Sequence, residues 1–211
     1  MPADKPILAF LTNEGDEEEG LGHAGIETYR DAPVASIGRE CGQNSADARV
    51  TAPVVMEFDV FDIPADDYPC RVDQLAAIDA CLDRARRISD RKAVDFFARA
   101  RSMLSAPTIR VLRISDSNTK GLVGPAEGGT PFNSLLKGAG VSSKERDTSG
   151  GSFGIGKNAA FAASDLQTVF YSTIYFDVKT GTPQFLAQGK TILVSHTDHA
   201  GTKRRRVWRG R

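Results

Sequence analysis

Residues 108–121 read TIRVLRISDSNTKG, and the fold turns on how they are taken. Apolar and polar residues alternate through most of the first eight, broken only at Val111–Leu112, the pattern of a strand with a face on a core. The strand runs straight into Asp116, after which residues 117 to 152 are dominated by Gly, Ser, Thr, Asn and Lys. A loop of that length inside a compact domain is uncommon and usually functional. Ligands are gripped at strand ends in α/β sheets, so a carboxylate at this junction is a candidate contact.

Working outward, VVMEFDVFDI (54–63) is a second alternating segment and the natural partner of the first. Between them lie two helical patterns, RVDQLAAIDACLDRARRI and DRKAVDFFARARSML, the second with Asp90 placed as an N-cap. Further out, APVASIGRECGQNSADAR (32–49) fits a helix that Pro53 terminates, and PILAFLT (6–12) a short strand. An acidic, glycine-rich stretch around Glu17, Glu18 and Glu19 separates these two and reads as solvated loop. Beyond the long loop, GIGKNAAFAAS resumes a helix, and LQTVFYSTIYFDV and QFLAQGKTILVSH are strands joined by the turn KTGTP. Strands and helices are thus mixed, and the expectation is a two-layer α+β sandwich: a mixed, largely antiparallel sheet with helices on one face.

A chain of 211 residues is the size of one ordinary domain, and 40% hydrophobic with 26% charged residues is a soluble globular composition. Lys plus Arg and Asp plus Glu both number 27, so no global field draws in nucleic acid or an anionic membrane. Cys41, Cys70 and Cys81 have neither the even count of a disulfide framework nor a C-x-x-C spacing, and are read as reduced thiols. No apolar run approaches the roughly 20 residues that span a bilayer, and the N-terminus lacks a basic region before its short apolar stretch. The expectation is a cytoplasmic protein without a membrane partner.

Glu40, Asn44 and Asp47 are spaced by four and three, so they project from one face of the first long helix, where they could hold a water and a hard cation. The wet side of a helix gives the same stripe, and alone it means little. The loop after Asp116 closes with DTSGGSFGIGKNAAF, in which Gly150, Gly151, Gly154 and Gly156 free the backbone to approach a phosphate chain. The helix that follows presents unpaired N–H groups and a partial positive charge to anions.

Taken in order, RECGQNSADA, ISDSNTKGL and GGSFGIGKNAAF resemble the three ATP-site motifs of the GHKL ATPases, the family of DNA gyrase, the ninety-kilodalton heat-shock chaperone, histidine kinases and MutL. The resemblance covers about residues 37–172 and implies the Bergerat ATP-binding fold. It implies that Glu40 is the general base acting on the attacking water, that Asn44 is a direct ligand of Mg²⁺, and that Asp47 occupies a pocket position. Asp116 would accept a hydrogen bond from the adenine amino group. Asn118 stands where the family commonly has glycine, with an extra residue before Gly121; asparagine best tolerates a glycine-like backbone angle. Gly151, Ser152, Gly154, Ile155 and Gly156 would surround the phosphates, with Lys157 adding charge. In GVSSKERDTSGG, Ser142, Ser143 and Lys144 resemble the lid residues of MORC proteins and topoisomerase VI.

On this resemblance residues 1–30 are an N-terminal strand and strap, 66–105 a helical insertion, 117–150 an ATP lid and 201–211 a basic tail. The implied activity is slow, Mg²⁺-dependent hydrolysis of ATP driving a conformational switch or dimerisation clamp, in a larger DNA-linked or defence ATPase. A partner subunit or second copy would join when nucleotide binds. The alternatives are an ATP-binding interaction module with negligible hydrolysis, and a GHKL kinase.

Other patterns carry less. Gly151 to Lys157 reads as G-x-x-x-x-G-K, but Asn158 stands where a P-loop needs Ser or Thr and no buried strand precedes it. A dinucleotide fingerprint beginning at Gly154 lacks its strand too. His196 and His199 have no third ligand in sequence. The cluster Lys203 to Arg206 with Trp208, Arg209 and Arg211 could touch nucleic acid through phosphates and stacking, though overall neutrality favours a solvated cluster.

Overall fold

In the computed structural model, residues 8–138 and 156–209 are described. Strand β1 (Phe10–Thr12) leads through an acidic loop to α1 (Ala24–Glu27) and α2 (Pro33–Asp47). Pro33 begins α2, where a missing N–H costs nothing and the fixed φ suits a helix. Strand β2 (Val55–Pro64) follows, then α3 (Arg71–Arg87) and α4 (Arg91–Ser105), then β3 (Thr108–Ser117). Asp90 caps α4 as its side chain accepts from the Ala93 N–H at 3.1 Å. After α5 (Pro131–Lys137) and α6 (Asn158–Ala162) come β4 (Thr168–Asp177), β5 (Thr182–Ile192), β6 (His196–Thr197) and β7 (Lys203–Arg209).

Every strand pair described is antiparallel. β2 and β3 form a two-stranded ribbon in unbroken register from Val55↔Ser117 to Pro64↔Thr108, as their alternating sequences imply. The remaining strands form a second sheet, ordered β1-β7-β5-β4 with β6 also on β7. The class is therefore α+β with antiparallel sheets.

The helices do not keep to one face. Ile109 and Ile114 are five residues apart on β3 and so project to opposite sides of the ribbon. Ile109 packs with Phe97 and Leu104 of α4, whereas Ile114 packs with Ile37 of α2 and Ala159 of α6. The second sheet repeats the arrangement. Thr191 meets Gln74 of α3, while Ile192, its neighbour on β5, packs with Ile26 of α1 and Phe161 of α6. Helices cover this sheet only near its base, and Phe170, Ile174, Phe176 and Phe185 on one face of β4 and β5 remain exposed.

Within residues 66–105, α3 and α4 supply most of the largest core, joined there by Ile109, Leu166, Leu193 and Val194. Within residues 201–211, Lys203–Arg209 is a strand seated between β1 and β5. Its charges face the acidic loop, with Lys203 on Asp16 at 2.7 Å and Arg205 on Glu17 and Glu19, while Glu18 reaches Arg84. That loop is thus tied down by ion pairs rather than merely solvated. No helix among the described residues is long and apolar enough to cross a membrane.

Candidate functional site

Three segments far apart in sequence converge on α2. The first contact is between α2 and the start of α6. The Glu40 carboxylate lies against Gly156 so closely that a Cβ at 156 would overlap its Oε2. Glu40 is half-buried, with its Oε1 3.9 Å from Nε of the exposed Arg39. Asn44 and Asp47 continue the stripe and are exposed. On a wheel of 100° per residue, all three lie within about 80° of the buried Ile37, so the stripe borders the packed side of the helix rather than facing away from it.

The second contact ties α2 to β3 and the loop beyond. Asp116 pairs in register with Met56, whose sulfur is 3.9 Å from where a Cβ on Gly42 would stand. Burial raises the Cys41 thiol pKa, and the charges of Asp116 and Glu40 push it further the same way, so both carboxylates are felt at one point on α2. The loop is then stitched to the helix end: the Lys120 N–H donates to Ala48 O at 2.9 Å, and the Val50 N–H to Asn118 O at 2.9 Å. Asn118 adopts φ +65, the glycine-like angle that its residue type tolerates, and its side-chain amide donates to Pro53 O at 2.7 Å.

Gly121, at φ +66, brings the loop onto β4, where a Cβ would stand 2.5 Å from Ile174 O and 2.8 Å from Thr173 Oγ1. The Leu122 N–H donates to that same hydroxyl at 2.9 Å. Sequence reasoning passed over Thr173 and Tyr171, which share a face of β4 and line this junction; burial raises the Tyr171 pKa, with the Cys41 thiol adding to it. Their shared parity was the only signal, and it cannot say what the face meets. Tyr29 was missed likewise: it is buried beside Ile37, and burial followed by the Glu40 charge raises its pKa.

Lys157 is engaged elsewhere. Its ammonium donates to the carbonyls of Ser134 and Gly138 at the end of α5, a favourable place for a cation, and burial lowers its pKa. Lys144, Gly151, Ser152, Gly154 and Ile155 fall outside the described residues, as do Ser142, Ser143 and the 139–150 part of the expected lid.

Asn44 offers an exposed amide oxygen one turn from the Glu40 carboxylate, and magnesium characteristically takes one or two protein oxygens with waters and phosphates completing its shell. Among the described residues no group of three His, Cys, Asp or Glu is arranged to hold a metal by itself. His196 is buried with its Nδ1 2.9 Å from Val194 O while His199 is exposed, so the two do not form a ligand pair. Two hollows beside β1, of about 370 and 160 Å³, lie away from the α2 cluster; the larger is lined by residues 11–15 with Glu17 and Arg205. No protein-family model, curated protein or solved structure matches this chain.

Proposed function

We propose that the chain is an ATP-binding domain of GHKL type with the Bergerat fold, hydrolysing ATP slowly with Mg²⁺. The observation that carries this reading is the convergence on α2. Glu40 meets Gly156, and Asp116 with its loop is fastened to the other end of the same helix, although these residues are spread over more than half the chain.

The roles are those the resemblance implies, and local chemistry is compatible with them. Asp116 offers the adenine amino group a carboxylate oxygen, whereas a guanine carbonyl at that place would meet a carboxylate with no proton to share. Glu40, Asp47 and Asp116 are three acidic groups at or beside α2, and a triphosphate placed among them needs a bound cation. Magnesium on Asn44 would supply that neutralisation. Glu40 orients the attacking water and takes its proton as the γ-phosphoryl group passes to the water oxygen and ADP leaves. Among the described residues, Arg39 and the tethered Lys157 supply no preformed phosphate clamp, and the turnover read here is slow.

The work done by the cycle is read as that of a conformational switch or dimerisation clamp within a larger DNA-linked or defence ATPase. The test is calorimetric titration with a non-hydrolysable ATP analogue and Mg²⁺. Loss of binding in Asp116→Asn, with Lys157→Ala binding nearly as the parent does, supports the site. The reverse order revives the P-loop pattern, and absence of binding to the parent chain ends the nucleotide reading. Binding without detectable phosphate release would leave a nucleotide-sensing interaction module.

A further inference from the structure

The start of α6 and the end of α5 are joined through one side chain. Lys157 follows Gly156, the residue on which the Glu40 carboxylate lies. Its ammonium donates to Ser134 O at 3.4 Å and to Gly138 O. Ser134 O also accepts from the Gly138 N–H at 3.1 Å, so the cation completes the last turn of α5, where helix carbonyls otherwise lack partners.

Helix α5 is in turn fastened to the loop that leaves Asp116. The Phe132 N–H donates to Val123 O at 3.1 Å, and Asn133 Nδ2 and Lys137 Nζ donate to Ala126 O at 3.1 and 2.7 Å. Nearer β3, the same loop is stitched to the end of α2 at Asn118 and Lys120. Lys157 therefore closes a circuit that runs from Glu40 through α5 and back to the far end of α2. Its charge is weakly compensated there: burial lowers its pKa, and its partners are carbonyl dipoles. A phosphate oxygen carries a full opposite charge and makes the stronger, charge-assisted bond to an ammonium.

We infer that Lys157 is a clasp on the C-terminal turn of α5, which a nucleotide phosphate undoes by drawing the ammonium away from the Ser134 and Gly138 carbonyls. The inference rests on the ATP-site reading and adds to it the element that responds to the bound nucleotide. Because binding and release share one cation, the coupling is reciprocal: loosening the clasp favours nucleotide as much as nucleotide favours release. Lys157→Ala removes the clasp and the phosphate contact together, and the two effects offset each other in the affinity.

Hydrogen exchange of residues 135–138, with and without a non-hydrolysable ATP analogue and Mg²⁺, tests this beside calorimetry on the same samples. Nucleotide should speed exchange there at least about 5-fold, the weak end of typical coupling between sites, whereas a ligand that merely ordered its surroundings would slow it. Lys157→Met should exchange fast at these residues without nucleotide and show no further rise when the analogue binds. Calorimetric binding to the parent with exchange unchanged or slowed overturns the clasp and leaves the ATP site standing. Exchange in nucleotide-free Lys157→Met as slow as in the parent overturns it as well. Absence of calorimetric binding to the parent overturns both.

Discussion

At the scale of single residues, the candidate site rests on a few atoms whose roles can be separated. Glu40→Gln keeps the shape and removes the base, so phosphate release should fall by about 10²- to 10⁴-fold with the calorimetric affinity for ATP little changed. Equal loss of affinity and rate would show the carboxylate to be a binding group instead. Two glycines allow a sharper comparison. Gly121 and Gly129 both have positive φ, but a Cβ on Gly129 meets nothing within 4 Å, whereas one on Gly121 collides with the β4 backbone. Gly129→Ala should therefore cost only about 1 kcal/mol of left-handed strain, and Gly121→Ala about 3 kcal/mol or more, measured as shifts in urea midpoint. This makes Gly121 a packing requirement in its own right, and its position in a ligand motif is a second reason for it. At Gly156, by contrast, an added Cβ would meet only the end of the Glu40 side chain, which can swing aside.

At the scale of elements, caps and strand junctions set local stability. Removing the Asp90 cap by Asp90→Ala should lower stability by about 1 kcal/mol, readable in the same unfolding experiment. The β1 edge has a pH-dependent anchor. Phe10 packs edge-on against His196 with centroids 4.8 Å apart. Burial, the largest influence on His196, lowers its pKa below 6.5; the nearby Arg204 and Arg84 act in the same direction, and its bond to Val194 O and the Asp198 charge oppose them. The folded form therefore binds a proton less readily than the unfolded one. Stability from this group is complete above pH 6.5 and declines as pH falls below it, because the unfolded chain then takes up more protons. Over that window a His196→Gln variant should show a flatter pH dependence of its urea midpoint than the parent does, despite starting lower.

At the scale of the whole molecule, one core couples the two sheets. Phe97 is fully buried among α3, α4 and the strand ends, so Phe97→Ala should cost about 3–5 kcal/mol. Since Ile109 of the ribbon and Leu193, the residue that follows β5, share that cluster, helical circular dichroism and the sheet infrared band should be lost in one transition. Loss of helix before sheet would show that residues 66–105 unfold as a unit of their own. Much was legible without coordinates: the alternation in 54–63 and 108–115, the cap at Asp90, the tolerance of Asn118 for its backbone angle, and a helix bearing Glu40, Asn44 and Asp47. These are local properties, set by side-chain parity, helical spacing and the steric limits of a single residue. The chain pattern could not say that α3 and α4 form the main core, that helices lie on both sides of the ribbon, or that the basic C-terminal segment holds an inner strand whose Lys203 and Arg205 pair with the acidic loop. Each of those depends on which surfaces meet across long stretches of chain. Only the tertiary structure decided that Glu40 would lie on Gly156, that Asp116 would be fastened beside Cys41, and that Lys157 would be drawn to the end of α5, because contact partners are chosen by packing and charge in three dimensions.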